Sequence, residues 1–76
     1  MSTLPIRFGA VIRQLRETHG WSQEKLAEHA DLNRSYLGEI ERGDAVPSLA
    51  TIAKLAQALG LHLSTLLAHC ETATNA

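Results

Sequence analysis

Histidine and cysteine are the side chains best able to do metal or redox chemistry at neutral pH, and this 76-residue chain has four of the first and one of the second. His19, His29, His62 and His69 are scattered. His62 and His69 stand seven apart with Cys70 beside the latter, but no CxxC or HxxxH spacing gathers ligands as a metal site requires. Neither a metal nor a cofactor is expected. No ordered Ser/His/Asp set, phosphate-cradling glycine loop or pair of opposed carboxylates stands out, so catalysis is not expected. Asn33-Arg34-Ser35 spells a glycosylation acceptor, yet the opening Met-Ser-Thr-Leu-Pro lacks the basic stretch and apolar run of a secretion signal, so the match reads as chance. What remains is the hydrogen-bonding chemistry of a polar set in the middle of the chain: Arg34, Ser35, Glu39 and Arg42. Arg34 brings a planar fork of donors, Ser35 a short adaptable donor, and Glu39 an acceptor.

The elements that must position this set are short helices. Apolar residues make up 45% of the chain, charged residues 20% and aromatics 4%, as in an ordinary folded chain. Leu and Ala dominate the apolar set, while valine appears only at Val11 and Val46, which favours an all-α fold. A chain of this length forms one domain (1–76, ordered core about 5–70) and buries only about 60% of its unfolded surface. Its stability should not exceed roughly 4–11 kcal/mol. A net charge of −1 excludes a diffuse polycation, so any nucleic-acid contact must come from a local face. One cysteine fits a reducing cytosol, and no apolar run approaches the length that spans a membrane, so a cytoplasmic location is expected.

Punctuation divides the chain into five helices. The first runs from about Pro5 to His19, with Phe8, Ile12 and Leu15 on one face and Gly20 as its stop. Ser22 caps the second, Gln23 to His29, which turns Leu26, Ala27 and Ala30 inward. Asn33 caps the third, Arg34 to Glu41, with Leu37 and Ile40 inward and Gly43 as its end. Ser48 caps the fourth, lined by Leu49, Ile52, Leu55, Ala56 and Leu59 and ended by Gly60. Ser64 is placed as the cap of a last short helix, Thr65 to Cys70, followed by a loose tail over 71–76. Cys70 is expected as a plain thiol near that fraying end, open to an intermolecular disulfide under oxidation.

The join between the second and third helices decides the architecture. Two short helices separated by three or four residues form a helix-turn-helix, and Asp31 falls where the turn needs a residue tolerant of left-handed backbone. The narrow apolar stripe of the third helix leaves Arg34, Ser35, Glu39 and Arg42 outside. Trp21-Ser22-Gln23-Glu24-Lys25-Leu26-Ala27, the stretch Leu32 to Gly43, Pro47-Ser48-Leu49 and Leu59-Gly60 resemble the Xre/Cro family of helix-turn-helix regulators, over roughly residues 6–68. That family includes the lambdoid phage repressors, and its small members include restriction–modification controller proteins and some antitoxins.

The resemblance implies a five-helix, lambda-repressor-like domain whose third helix reads double-stranded DNA in the major groove. It assigns base contacts to Asn33, Arg34, Ser35 and Glu39, and phosphate contacts to Gln23, with Tyr36 supporting the backbone contact. It also implies a structural ion pair between Arg16 and Glu41. Physical chemistry fits part of this. The Arg34 fork matches guanine O6 and N7, worth about 1–3 kcal/mol of discrimination; Glu39 can accept from cytosine N4. Arg42, near the helix end, is better placed for a phosphate than for a base. Two departures stand out. Relatives often carry Lys or Arg after the third helix, where this chain has Asp44-Ala45-Val46, so affinity per protomer should be modest. Asp31 replaces the usual small turn residue.

Leu61, Leu63, Leu66 and Leu67 carry more apolar surface than one short helix needs, which points to a two-fold homodimer through the last helix and its connector. Two recognition helices about 34 Å apart would match one turn of DNA and a palindromic operator. The expected function is thus that of a homodimeric transcriptional regulator. A second class stays open: an antitoxin or other interaction module with a protein partner, for which DNA binding is secondary.

Overall fold

Four turns of the chain close in the same way. In the computed structural model, which describes residues 3–73 and their side chains through residue 71, Trp21, Leu32, Asp44 and Leu61 each donate their N–H to the carbonyl five residues back, at 3.1, 2.8, 2.8 and 2.9 Å. This bond requires a left-handed residue just before the donor. Gly20, Gly43 and Gly60 supply it freely, and Asp31 adopts φ 55°, ψ 50° at a cost of about 1–2 kcal/mol. These stops define α1 (Leu4–Thr18), α2 (Gln23–Ala30), α3 (Arg34–Arg42), α4 (Leu49–Ala58) and α5 (Leu63–Ala73). At the starts, Ser22 Oγ accepts from the Lys25 N–H, Asn33 Oδ1 from those of Ser35 and Tyr36, and Ser48 Oγ from that of Thr51. The all-α, five-helix expectation is met, and the described residues hold no strand.

Phe8, Ile12, Leu26, Leu37, Ile40 and Leu55 form the centre of one core. α1 lies against α3 and α5, while α2 packs on α3 and α4. The α1–α3 contact is the tightest. A Cβ built on Gly9 would stand 2.2 Å from the Ile40 carbonyl oxygen and 2.7 Å from that of Glu41. Here two helix backbones touch with no side chain between them.

The last helix departs from expectation. It begins at Leu63, so Ser64 lies inside it and is not its cap; the Leu66 N–H already donates to the His62 carbonyl at 3.0 Å. It continues past Cys70 to Ala73, so residues 71–73 are helical, and 74–76 lie outside the described residues. The reason is packing: Leu66 and Cys70, one turn apart, are both sealed into the core and hold the helix through its C-terminal half.

Cys70 is therefore a core residue, 2% exposed, and not a thiol at a fraying end. Burial pushes its pKa above the ordinary 9.0, with the Arg7 guanidinium opposing the shift more weakly. An acid whose pKa is raised by folding stabilises the fold fully below its unfolded value, and that contribution is lost as pH climbs through the folded value. Stability should thus fall more steeply above about pH 9 in the native protein than in Cys70→Val. A disulfide reagent such as DTNB should label the thiol only on unfolding; rapid stoichiometric labelling of the folded protein would contradict its burial.

Candidate nucleic-acid interface

The turn Asp31–Asn33 swings α3 across α2 and sets its N-terminal end outward. Asn33 is the cap: its Oδ1 takes the Ser35 N–H at 2.8 Å and the Tyr36 N–H at 3.3 Å. Its carbonyl is thereby committed to the helix, and only the Nδ2 amide, which takes no part in the cap, could serve a base. Arg34, Ser35 and Glu39 are exposed on α3. Arg34 has no hydrogen-bond or ion-pair partner among the described residues, so nothing must be broken before its fork engages a ligand. Tyr36 is half-buried and packs on the core edge.

Behind this face, four groups from three helices and the α1–α2 turn meet in one network. Arg16 of α1 donates from Nε to Glu41 Oε2 at 2.8 Å, from Nη2 to Glu41 Oε1 at 3.0 Å, and from Nη1 to the Trp21 carbonyl at 2.8 Å. Gln23, the first residue of α2, donates from Nε2 to the same Glu41 Oε1 at 2.9 Å. The side chains of Arg16 and Glu41 are 12% and 3% exposed. A two-pronged guanidinium–carboxylate pair in such a place fixes angle as well as distance. The hydrogen bond to Glu41 raises the Arg16 pKa most; burial opposes it, and the charges of Glu41 and Glu17 add to it. The network clamps the C-terminal end of α3 to α1 and to the start of α2.

Arg42 and Asp44 alter the expected charge pattern. Arg42 Nε donates to Asp44 Oδ2 at 3.1 Å, with both side chains 62% exposed. The acidic loop residue holds the cation that was expected on a phosphate. An exposed pair of this kind is worth about 0–1 kcal/mol, so a phosphate can compete for the guanidinium.

Three features escaped the sequence. Gly9, in the middle of an apolar helical run, seats α3 on α1. The Gln23–Glu41 bond joins residues 18 apart. Trp21 is sandwiched between His19 and His29, with ring centroids 4.5 and 4.4 Å away, which pins the α1–α2 turn. His62 and His69 are exposed, and no group of three or more potential metal ligands forms among the described residues.

Of the four leucines assigned to a dimer surface, Leu66 does not belong there: it is wholly buried against the core of its own chain. Leu61 and Leu63 are half-buried. Leu67 is 39% exposed and borders a shallow apolar groove with Leu4, Val46 and Pro47. No helix among the described residues is long and apolar enough to cross a membrane.

The Helix-turn-helix family model matches residues 12–66. The control protein C.BamHI of Bacillus amyloliquefaciens is 42% identical over 67 residues, spanning 87% of this chain and 83% of its own length. The HTH-type transcriptional regulator SutR of Escherichia coli is 35% identical over 74 residues, 97% of this chain, which spans only 42% of SutR. Among solved structures, the restriction-modification controller protein C.AhdI from Aeromonas hydrophila superposes with a TM-score of 0.79 at 45% identity, covering 82% of this chain and 94% of its own.

Proposed function

Since the chain belongs to the Helix-turn-helix family of DNA-binding domains, we propose that it is a sequence-specific transcriptional regulator that binds a palindromic operator as a homodimer. The observation that carries this reading is the first turn of α3. Arg34 and Ser35 stand exposed on a helix whose opposite end is clamped by the Arg16–Glu41–Gln23 network. A base reader needs an unoccupied donor fork on an element of fixed tilt, and this arrangement offers both. Arg34 and Ser35 are assigned to base edges, with Glu39 one turn further and the Asn33 amide beside them. Gln23, Arg42 and Tyr36 are assigned to the flanking phosphates. Likeness to the control protein C.BamHI and to the restriction-modification controller protein C.AhdI favours a controller role within this class.

Dimerisation is assigned to Leu61, Leu63 and Leu67. They keep apolar surface outside a core that Leu66 already closes, and the groove beside Leu67 enlarges that surface. A symmetric pair presents one copy of each recognition helix to each half-site. Repeated selection from a pool of random duplexes tests both parts together. The expected product is an inverted repeat whose half-sites lie about 10–10.5 base pairs apart, centre to centre. Enrichment of a lone half-site would remove the dimer from the account, and no enrichment would remove sequence reading.

A further inference from the structure

Two glycines lie inside helices, Gly9 in α1 and Gly38 in α3, and neither has a positive φ. A glycine in mid-helix costs stability relative to alanine, so each calls for a reason. At Gly9 the reason is backbone, since an added Cβ would run into the Ile40 and Glu41 carbonyls. At Gly38 it is not. Outside its own helix turn, a Cβ added there would meet only Arg42 Nη1 at 3.1 Å and Gln23 Oε1 at 3.7 Å among the described residues. The second distance is ordinary contact, and the first belongs to the tip of a flexible side chain that can swing aside. The fold does not need this glycine. What uses the space is the Arg42 guanidinium.

Arg34, Gly38 and Arg42 follow at four-residue intervals, so they share one row along α3. A long side chain on a helix leans back over the turn before its own Cα, which lays Arg42 over Gly38. There its Nε donates to Asp44 Oδ2 at 3.1 Å. Gln23 turns its Nε2 to Glu41, so the atom it brings to the same space is Oε1, an acceptor. A carboxylate from the loop and an amide oxygen from α2 both suit a guanidinium, and together they keep it low against the helix.

Resting on the regulator reading above, we propose that Gly38 is a positioning residue for DNA binding: by lacking a side chain, it lets the Arg42 guanidinium lie along α3 in the row of Arg34. One face of the helix then offers a base reader and a backbone cation at a fixed spacing. An alanine methyl at 38 would lift the guanidinium off the helix, leaving its charge unchanged and its place wrong. The helix is intrinsically weaker at this point, and the charge is better placed.

Binding of Gly38→Ala, Arg42→Ala and the double variant to a mixed-sequence duplex of about 20 base pairs tests this, because phosphate contacts do not depend on sequence. The titrations span a salt series, with thermal unfolding of each protein alongside. Gly38→Ala should raise the unfolding midpoint by about 3 °C or more, yet weaken binding about fivefold. Arg42→Ala should weaken binding about tenfold and lower the salt slope by about one. Added to Arg42→Ala, the alanine at 38 should cost less than about twofold, because the group it displaces is gone. A Gly38→Ala protein that binds as the native one does overturns the proposal. So does an equal loss with and without Arg42, which would make the glycine a point of direct approach for the duplex. A midpoint that is not raised, or a failure to fold, overturns it as well, since the fold would then be what needs the space. These outcomes leave the regulator reading standing, whereas a native chain that binds no duplex defeats that reading and the role of Gly38 with it.

Discussion

Gly9→Ala should lower stability by about 3 kcal/mol or more, although alanine is the better helix former by about 1 kcal/mol. The added methyl would lie 2.2 Å from the Ile40 carbonyl oxygen and 2.7 Å from that of Glu41. Both are backbone atoms within or next to the last turn of α3, so neither can rotate aside as a flexible side chain would. α1 must back away from α3 along their closest contact, opening the core around Phe8 and Ile12. Against a total of roughly 4–11 kcal/mol this is a large share, and the midpoint of thermal unfolding should fall by about 12 °C or more. Thermal denaturation followed by circular dichroism measures it. A midpoint within about 4 °C of the native one would mean that the helices can separate at little cost.

Arg16→Ala should cost about 3–5 kcal/mol. The substitution leaves the Glu41 carboxylate, 3% exposed, with the Gln23 amide in place of three donors, and it strips the Trp21 carbonyl of its side-chain partner. A buried charge without its counter-charge pays the desolvation penalty in full. The pair need not be a net source of stability, however. Arg16→Met combined with Glu41→Leu removes both charges from the same space and should recover most of the loss. Urea unfolding of the single and double variants separates the two terms. An Arg16→Ala protein within about 1 kcal/mol of the native one would contradict the clamp. If the double variant folds well but binds DNA poorly, the polar network is maintained for aim more than for stability.

Why was so much of the fold legible, and some of it not? Helix ends were readable because local chemistry sets them. Ser22, Asn33 and Ser48 each bond to N–H groups two or three residues ahead, and a left-handed stop needs only glycine or a tolerant Asp31. The last helix was harder. Leu66 and Leu67 are adjacent, and only the phase set by Cys70, one turn on, decides which of them is buried. Reading Cys70 as peripheral hid that phase and ended the helix too soon. The site divides along the same line. Arg34 and Ser35 stand where the spacing placed them, on the outer face of α3. The Asp44–Arg42 pair also lay within reach, since two residues separate an acid from a base across a known turn. The Gln23–Glu41 bond and the Gly9 contact join distant parts of the chain and exist only once α1, α2 and α3 are packed. Gly9 did leave one trace: a glycine in the middle of an apolar helical pattern is costly unless something must approach closely.

The role proposed for α3 is to read sequence through Arg34. Fluorescence anisotropy tests it, with wild type and Arg34→Ala titrated into the duplex enriched by selection and into a scrambled duplex, across a salt series. Wild type should prefer the enriched duplex and weaken as salt rises. Arg34→Ala should lose about 1–3 kcal/mol on that duplex and far less on the scrambled one, with its helical circular dichroism intact. Binding that is equal on both duplexes and indifferent to Arg34 would contradict it.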